Sequence, residues 1–296
     1  MKDKVAVTLL GAILAMLVPW LVSPAHAQSA GPLAVGPLVP ASGDITLFQS
    51  TGRVLVMMRI GDGELIPMVF DTGSDGHSID RLIVKRDHLK RVGTAIEVDG
   101  TTGKERTLPL VAIDDVTVGG LKIKRIEATA LDYDRNDAMG IISSEMFTES
   151  LVYLDLRNGR ARLAPRATTP LPPGPAIAYV RDIPTVAMVM PDGSTLPAHF
   201  DTGANGALSL PIGMMGKVPL MDKPRVVGRF KSINTEGEVY GGRIRGTIRV
   251  GPIELDSPEV TFLGDLANLG LPVIRQIVLV IDPAQKRNWV LKSVAD

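Results

Sequence analysis

The stretch Leu65-Ile-Pro-Met-Val-Phe-Asp-Thr-Gly-Ser-Asp-Gly-His-Ser-Ile-Asp80 reads as an apolar strand that runs into a turn at Asp71-Thr72-Gly73. The turn returns 130 residues later as Asp201-Thr202-Gly203, inside Leu196-Pro-Ala-His-Phe-Asp-Thr-Gly-Ala-Asn-Gly206. One such triplet means little, because Asp, Thr and Gly are ordinary turn residues. The surroundings repeat as well. At the same offset Asp62-Gly63 falls on Asp192-Gly193, Pro67 on Pro197, Phe70 on Phe200 and Gly76 on Gly206. Two copies of that length imply a duplicated lobe rather than a solenoid array.

Around the first copy the pattern is β. Arg53 to Ile60 reads as a buried strand, Gly61-Asp62-Gly63 as a hairpin turn, and Leu65 to Phe70 as the return strand. Short β runs follow at Thr107 to Ala112, Val116 to Val118, Leu121 to Ile123 and Ile126 to Leu131, with turn signals at Asp99-Gly100 and Gly119-Gly120. No segment sustains a helical period, so the predicted class is all-β. Met139 to Phe147 reads as a short helical turn, and Leu151 to Leu156 with Ala161 to Leu163 as a closing hairpin. The second copy closes alike, with Ile277 to Asp282 and Asn288 to Leu291.

The domain reading is an export signal at 1–27, a flexible lead segment at 28–45, a first lobe at 46–164, a proline-rich linker at 165–176 and a second lobe at 177–296. The signal rests on Lys2 and Lys4, the apolar run Val5 to Val22, and Ala25-His26-Ala27 before Gln28. An uncleaved anchor is the alternative, since the run approaches spanning length. The cleavage motif favours removal and a periplasmic or secreted product. A cysteine lipid-attachment motif is absent, since the sequence has no cysteine.

With 296 residues, 45% of them hydrophobic, the chain is long enough to bury a sizeable core. Lys plus Arg (32) balance Asp plus Glu (32), so no positive excess exists to collect phosphates, and nucleic acid is set aside as a partner. The absence of cysteine excludes disulfides and a thiolate nucleophile. His77, His88 and His199 have no zinc-ligand spacing, and no Gly-x-Ser-x-Gly elbow occurs. No metal and no cofactor are expected.

Phe-Asp-Thr-Gly-Ser/Ala after a β hairpin, followed by an apolar-apolar-Gly segment and a closing hairpin, resembles the aspartic protease family, pepsin-like and retropepsin-like together. The resemblance implies two homologous retropepsin-like β-barrel lobes fused in a pepsin-like bilobal chain, with a cleft between them. It implies that Asp71 and Asp201 form the catalytic dyad and activate a water between them. Two close carboxylates share one proton, so they supply a base and an acid together. Thr72 and Thr202 are expected to lock the turns together, and Gly73 and Gly203 to admit close backbone approach.

Ser74 is expected to donate to Asp71, which Ala204 cannot do for Asp201, so the shared proton is expected on Asp201. Asp75, Gly76, Asn205 and Gly206 are read as substrate-binding, with turn capping as the other role for Asp75 and Asn205. The covering flap is expected at Val98 to Gly103, with Glu238 to Gly242 as its counterpart. Where the family carries apolar-apolar-Gly, the first lobe has Ile141-Ile142-Ser143, with Gly140 ahead of the pair. The expected function is an aspartic endopeptidase acting as a monomer on a peptide or protein substrate. A catalytically inactive peptide-binding module on the same fold is the alternative, and a structural envelope protein fits two intact turns poorly.

Overall fold

The computed structural model describes residues 42–50, 52–98, 104–133, 137–231 and 236–293. The export segment, most of the lead segment and the expected flap tip at 99–103 lie outside the described residues.

The first half runs β1 (Gly43–Ser50), β2 (Arg53–Ile60), β3 (Ile66–Asp71), β4 (Ser78–Asp80), α1 (Arg81–Arg86), β5 (Lys90–Val98), β6 (Glu105–Val118), β7 (Leu121–Leu131), β8 (Gly140–Ser143), a 3-10 turn at Ser144–Met146, β9 (Ser150–Asp155) and β10 (Arg160–Pro165). The second runs β11 (Ile177–Ala178), β12 (Thr185–Val189), β13 (Thr195–Phe200), β14 (Leu208–Leu210), β15 (Arg225–Lys231), β16 (Glu236–Arg243), β17 (Thr247–Val250), β18 (Ile253–Asp256), β19 (Glu259–Phe262), β20 (Ala267–Leu269), α2 (Leu271–Ile274), β21 (Ile277–Asp282) and β22 (Arg287–Lys292). The chain is all-β in class, as its short β runs and the lack of a sustained helical period predict.

The two halves are threaded alike. In the first, neighbouring strands run β2-β3-β8-β4-β7-β6-β5, and in the second β12-β13-β20-β14-β19-β16-β15. In each, the strand that ends in Asp-Thr-Gly lies parallel to a short late strand: Phe70 stands beside Ile142, and Phe200 beside Leu269. A further run of strands, continuous with the first half through β1 and β2, joins the halves in the order β11-β22-β21-β9-β10-β1. Its centre is the antiparallel pair β9 and β21, one strand from each half, with Val280 opposite Tyr153. Reading outward from that pair meets equivalent strands on both sides. Burial follows this plan, and Phe70, Phe200, Leu154 and Leu279 are all wholly enclosed. Enclosing one such side chain contributes about 1.5–3 kcal/mol.

Three expectations are corrected. The lead segment does not extend to residue 45, because β1 begins at Gly43. Its first four residues pair with β10 and its last four with β2, so the strand crosses from the joining run into the first half. Met139 to Phe147 is not one helical turn, since Gly140–Ser143 is a strand held by parallel pairing to β3 and only Ser144–Met146 is helical. Glu238 to Gly242 lies within β16 rather than at a hairpin tip. A short helix, α1, was also not anticipated. Asp80 caps it, accepting the Leu82 N–H at 2.6 Å, and six residues are too few to show a period.

Candidate active site

Each Asp-Thr-Gly turn begins where a buried strand ends. Thr72 and Thr202 are wholly buried and cross-bonded. Thr72 Oγ1 donates to the Phe200 carbonyl at 2.6 Å, and Thr202 Oγ1 donates to the Phe70 carbonyl at 2.6 Å. In return the Thr72 N–H donates to Thr202 Oγ1 at 3.0 Å and the Thr202 N–H to Thr72 Oγ1 at 3.2 Å. Threonine suits the position because one hydroxyl both donates and accepts.

That lock brings the carboxylates together. A Cβ placed on Gly73 would lie 2.8 Å from Asp201 Cγ, and one on Gly203 would lie 2.8 Å from Asp71 Oδ2. Each glycine therefore lies against the other half's aspartate, and any side chain there would displace it. The Gly73 N–H also donates to Asp71 Oδ1 at 2.8 Å.

The aspartates are half-buried between the turns, and loss of water is the largest influence on both. It pushes Asp201 up to about 7, and the neighbouring Asp71 charge adds to the rise. Asp71 is raised too, by burial, but the Gly73 and Gly203 N–H groups, the hydrogen bond to Asp201 and the Arg53 guanidinium oppose the rise. Burial and the Asp71 charge thus favour the protonated form of Asp201, while the groups around Asp71 favour its anion.

The expected cause of that asymmetry is corrected. Ser74 Oγ donates to the Gly76 carbonyl at 2.8 Å rather than to Asp71, because the turn folds the hydroxyl back on its own backbone. Ala204 lacks the hydroxyl, and its N–H donates to the Asp201 carbonyl at 3.2 Å. Asp75 and Asn205 are both exposed beside the dyad. A Cβ on Gly76 or Gly206 would meet nothing within 4 Å, so both glycines border open space, while Gly52 lies against the Asn205 side chain.

Sequence reasoning missed several groups that build this site. Arg53, which acts on Asp71, is paired with Asp137 at 3.2 Å. Tyr133 shares a hydrogen bond with Ser78 at 2.9 Å and is fastened by its N–H to Asp80 Oδ2 at 2.8 Å. Neither carries a sequence signal, since each acts through a distant partner. Ser143 did carry one, by standing where glycine was expected. Asp71 pairs with Ser143, whereas Asp201 donates its N–H to Leu269, just before Gly270. A Cβ on Gly270 would lie 2.1 Å from the Gly206 carbonyl oxygen and 2.6 Å from that of Ala204. In the first half the turn accommodates the extra atoms, and Ser143 Oγ donates to the Ser74 carbonyl at 2.5 Å.

This turn, with its half-buried aspartate, threonine lock and supporting parallel strand, lies in a stretch that is similar to a known family. Residues 56–146 match the model of the aspartyl protease family. The match contains the first Asp-Thr-Gly and its supporting strand and stops short of the second half. No match to the chain was found among curated proteins. Among the described residues no group of three or more His, Asp or Glu is arranged to hold a metal ion.

Proposed function

We propose that this protein is an aspartic endopeptidase whose two halves act as the two lobes of one cleft. The observation that carries the reading is the reciprocal packing of Gly73 on Asp201 and Gly203 on Asp71, with both threonines locked beneath. A neutral amide is a poor electrophile and its hydrolysis needs a base and an acid together. Asp71, the anionic member, takes a proton from water as the oxygen attacks the carbonyl carbon, and Asp201 gives its proton to the carbonyl oxygen. As the C–N bond breaks, the proton on Asp71 passes to the leaving nitrogen and Asp201 recovers one from the diol. The half-open turns suit an extended substrate held by its backbone, with Asp75, Gly76, Asn205 and Gly206 along its path.

The reading extends to an exported, monomeric enzyme. Its support is the amino-terminal signal pattern and the presence of both aspartates in one chain. The test is cleavage of a mixed peptide library across the pH range by protein purified from an exporting host, with its amino terminus sequenced. Cleavage that disappears in both Asp71→Asn and Asp201→Asn supports the enzyme. Peptide binding without cleavage in the folded parent transfers the reading to the inactive peptide-binding module.

A further inference from the structure

The two halves support their active-site turns with different chemistry. In the second half the Gly270 N–H donates to the Ala207 carbonyl at 3.1 Å and the Leu271 N–H to the Ala204 carbonyl at 3.0 Å, so backbone alone holds the turn. In the first half both contacts are made by side chains. Ser143 Oγ takes the Ser74 carbonyl, and the Ser143 N–H donates to Nδ1 of His77 at 3.1 Å. The His77 carbonyl is occupied elsewhere, accepting the Thr129 N–H at 2.9 Å.

His77 is 3% exposed, and its Nε2 has no hydrogen-bond partner. Because Nδ1 accepts an N–H, its lone pair must be free, so the ring is neutral with its proton on Nε2. Charging the ring would set an N–H against the Ser143 N–H and break the contact. The titratable groups on the elements around it are Asp71, Asp75 and Asp80 on its own stretch, Glu145 beyond Ser143, Glu127 on β7, and Tyr133 bonded to Ser78. None bonds to the imidazole, and burial alone lowers its basicity.

We propose that His77 is a positioning residue for Asp71: its neutral imidazole, through Ser143, fixes the first active-site turn, and charging the ring in acid releases that turn. The inference deepens the protease reading, because it gives one half of the dyad a titratable support that the other half lacks. It also predicts an acid limit that does not belong to the aspartates.

The test combines nitrogen NMR of the histidines with hydrogen exchange and cleavage, on the parent, His77→Asn and His77→Ala. Asparagine places an uncharged acceptor where Nδ1 stands and does not titrate. The expected parent result is a His77 signal, assigned by its loss in the variants, with Nδ1 bare at neutral pH and a titration midpoint near 4. Protection of the Ser143 amide falls with that titration in the parent, persists in His77→Asn and is lost at all pH in His77→Ala. The acid limb of cleavage moves to lower pH in His77→Asn. A proton on Nδ1 at neutral pH, a midpoint near that of a free imidazole, or a His77→Ala protein with undiminished Ser143 protection would each overturn the proposal. If no variant cleaves peptide at any pH, the protease reading fails, while the NMR and exchange results still decide the role of His77.

Discussion

Replacing Thr72 by valine keeps the shape of the side chain and removes one oxygen. That oxygen donates to the Phe200 carbonyl at 2.6 Å and accepts the Thr202 N–H at 3.2 Å. Valine would leave both groups buried without partners, and each orphan costs about 1–3 kcal/mol, so Thr72→Val should destabilise by about 2–6 kcal/mol. Thr72→Ser keeps the hydroxyl and loses a methyl group, at about 1 kcal/mol. The large difference between two small substitutions is the signature of a bonded hydroxyl. Urea unfolding followed by the fluorescence of Trp289, which is 2% exposed, gives both values where the transition is two-state. Because the partners lie 128 and 130 residues away, Thr72→Val should also weaken contact between the halves. A Thr72→Val cost below about 1 kcal/mol, or one equal to that of Thr72→Ser, would refute the argument that these bonds are dry and essential.

Gly270→Ala would drive a methyl group into two carbonyl oxygens of the second turn. Overpacking typically costs about 1–3 kcal/mol, and with backbone as the obstacle the upper end or loss of fold is expected by thermal unfolding. Ser143→Ala at the equivalent place should lose only its side-chain bonds, at about 1–2 kcal/mol in the same assay. Lys286→Met would strand the Glu145 carboxylate, whose side chain is only 5% exposed and is bonded by Lys286 at 2.5 Å and by Tyr179 at 3.1 Å. With Lys286 half in water the cost is about 2 kcal/mol, and Glu145→Gln in the same chain should recover most of it in urea unfolding. Asp201 is raised to about 7, so the stability it lends is fully present below the ordinary aspartate value and lost as pH rises through 7. The urea midpoint of Asp201→Asn should therefore gain on the parent across that rise.

Much of the site was legible because its parts are local. Asp71, Thr72 and Gly73 are consecutive, and the second copy at a fixed offset identified their partners without any knowledge of the packing. Strands bounded by glycine turns were equally readable. Gly119 is one example, since its φ of +55° suits a residue without Cβ. The misreadings share a cause: the deciding partner is far away in sequence. β1 looked like an extension of the proline-rich lead segment, and only pairing to Ala161 and Leu163 on one side and Val54 and Val56 on the other makes it a strand. β8 lies in a stretch read as a helical turn, and its Ile141-Ile142 pair is instead extended by parallel pairing to β3. Ser74 was read toward Asp71 because the two are close in sequence, but a hydroxyl satisfies the nearest free carbonyl, here that of Gly76.

Fusing the halves in one chain frees them to differ, and their buried titratable groups use that freedom in opposite directions. Asp201 holds a proton that an exposed aspartate would have lost, so its contribution to folding declines from acid up to about pH 7. His77 refuses a proton that a free imidazole would accept, so its contribution is full above 6.5 and declines as pH falls toward 4. The two slopes oppose one another over the mildly acidic range, each amounting to one proton. Their sum is nearly flat where either alone would be steep. On the proposed reading, the aspartate pair that shares a proton and the turn that neutral His77 holds thus offset one another. On the protease reading proposed above, loss of the proton on Asp201 would bound activity at high pH, and charging of His77 beneath Ser143 would bound it at low pH.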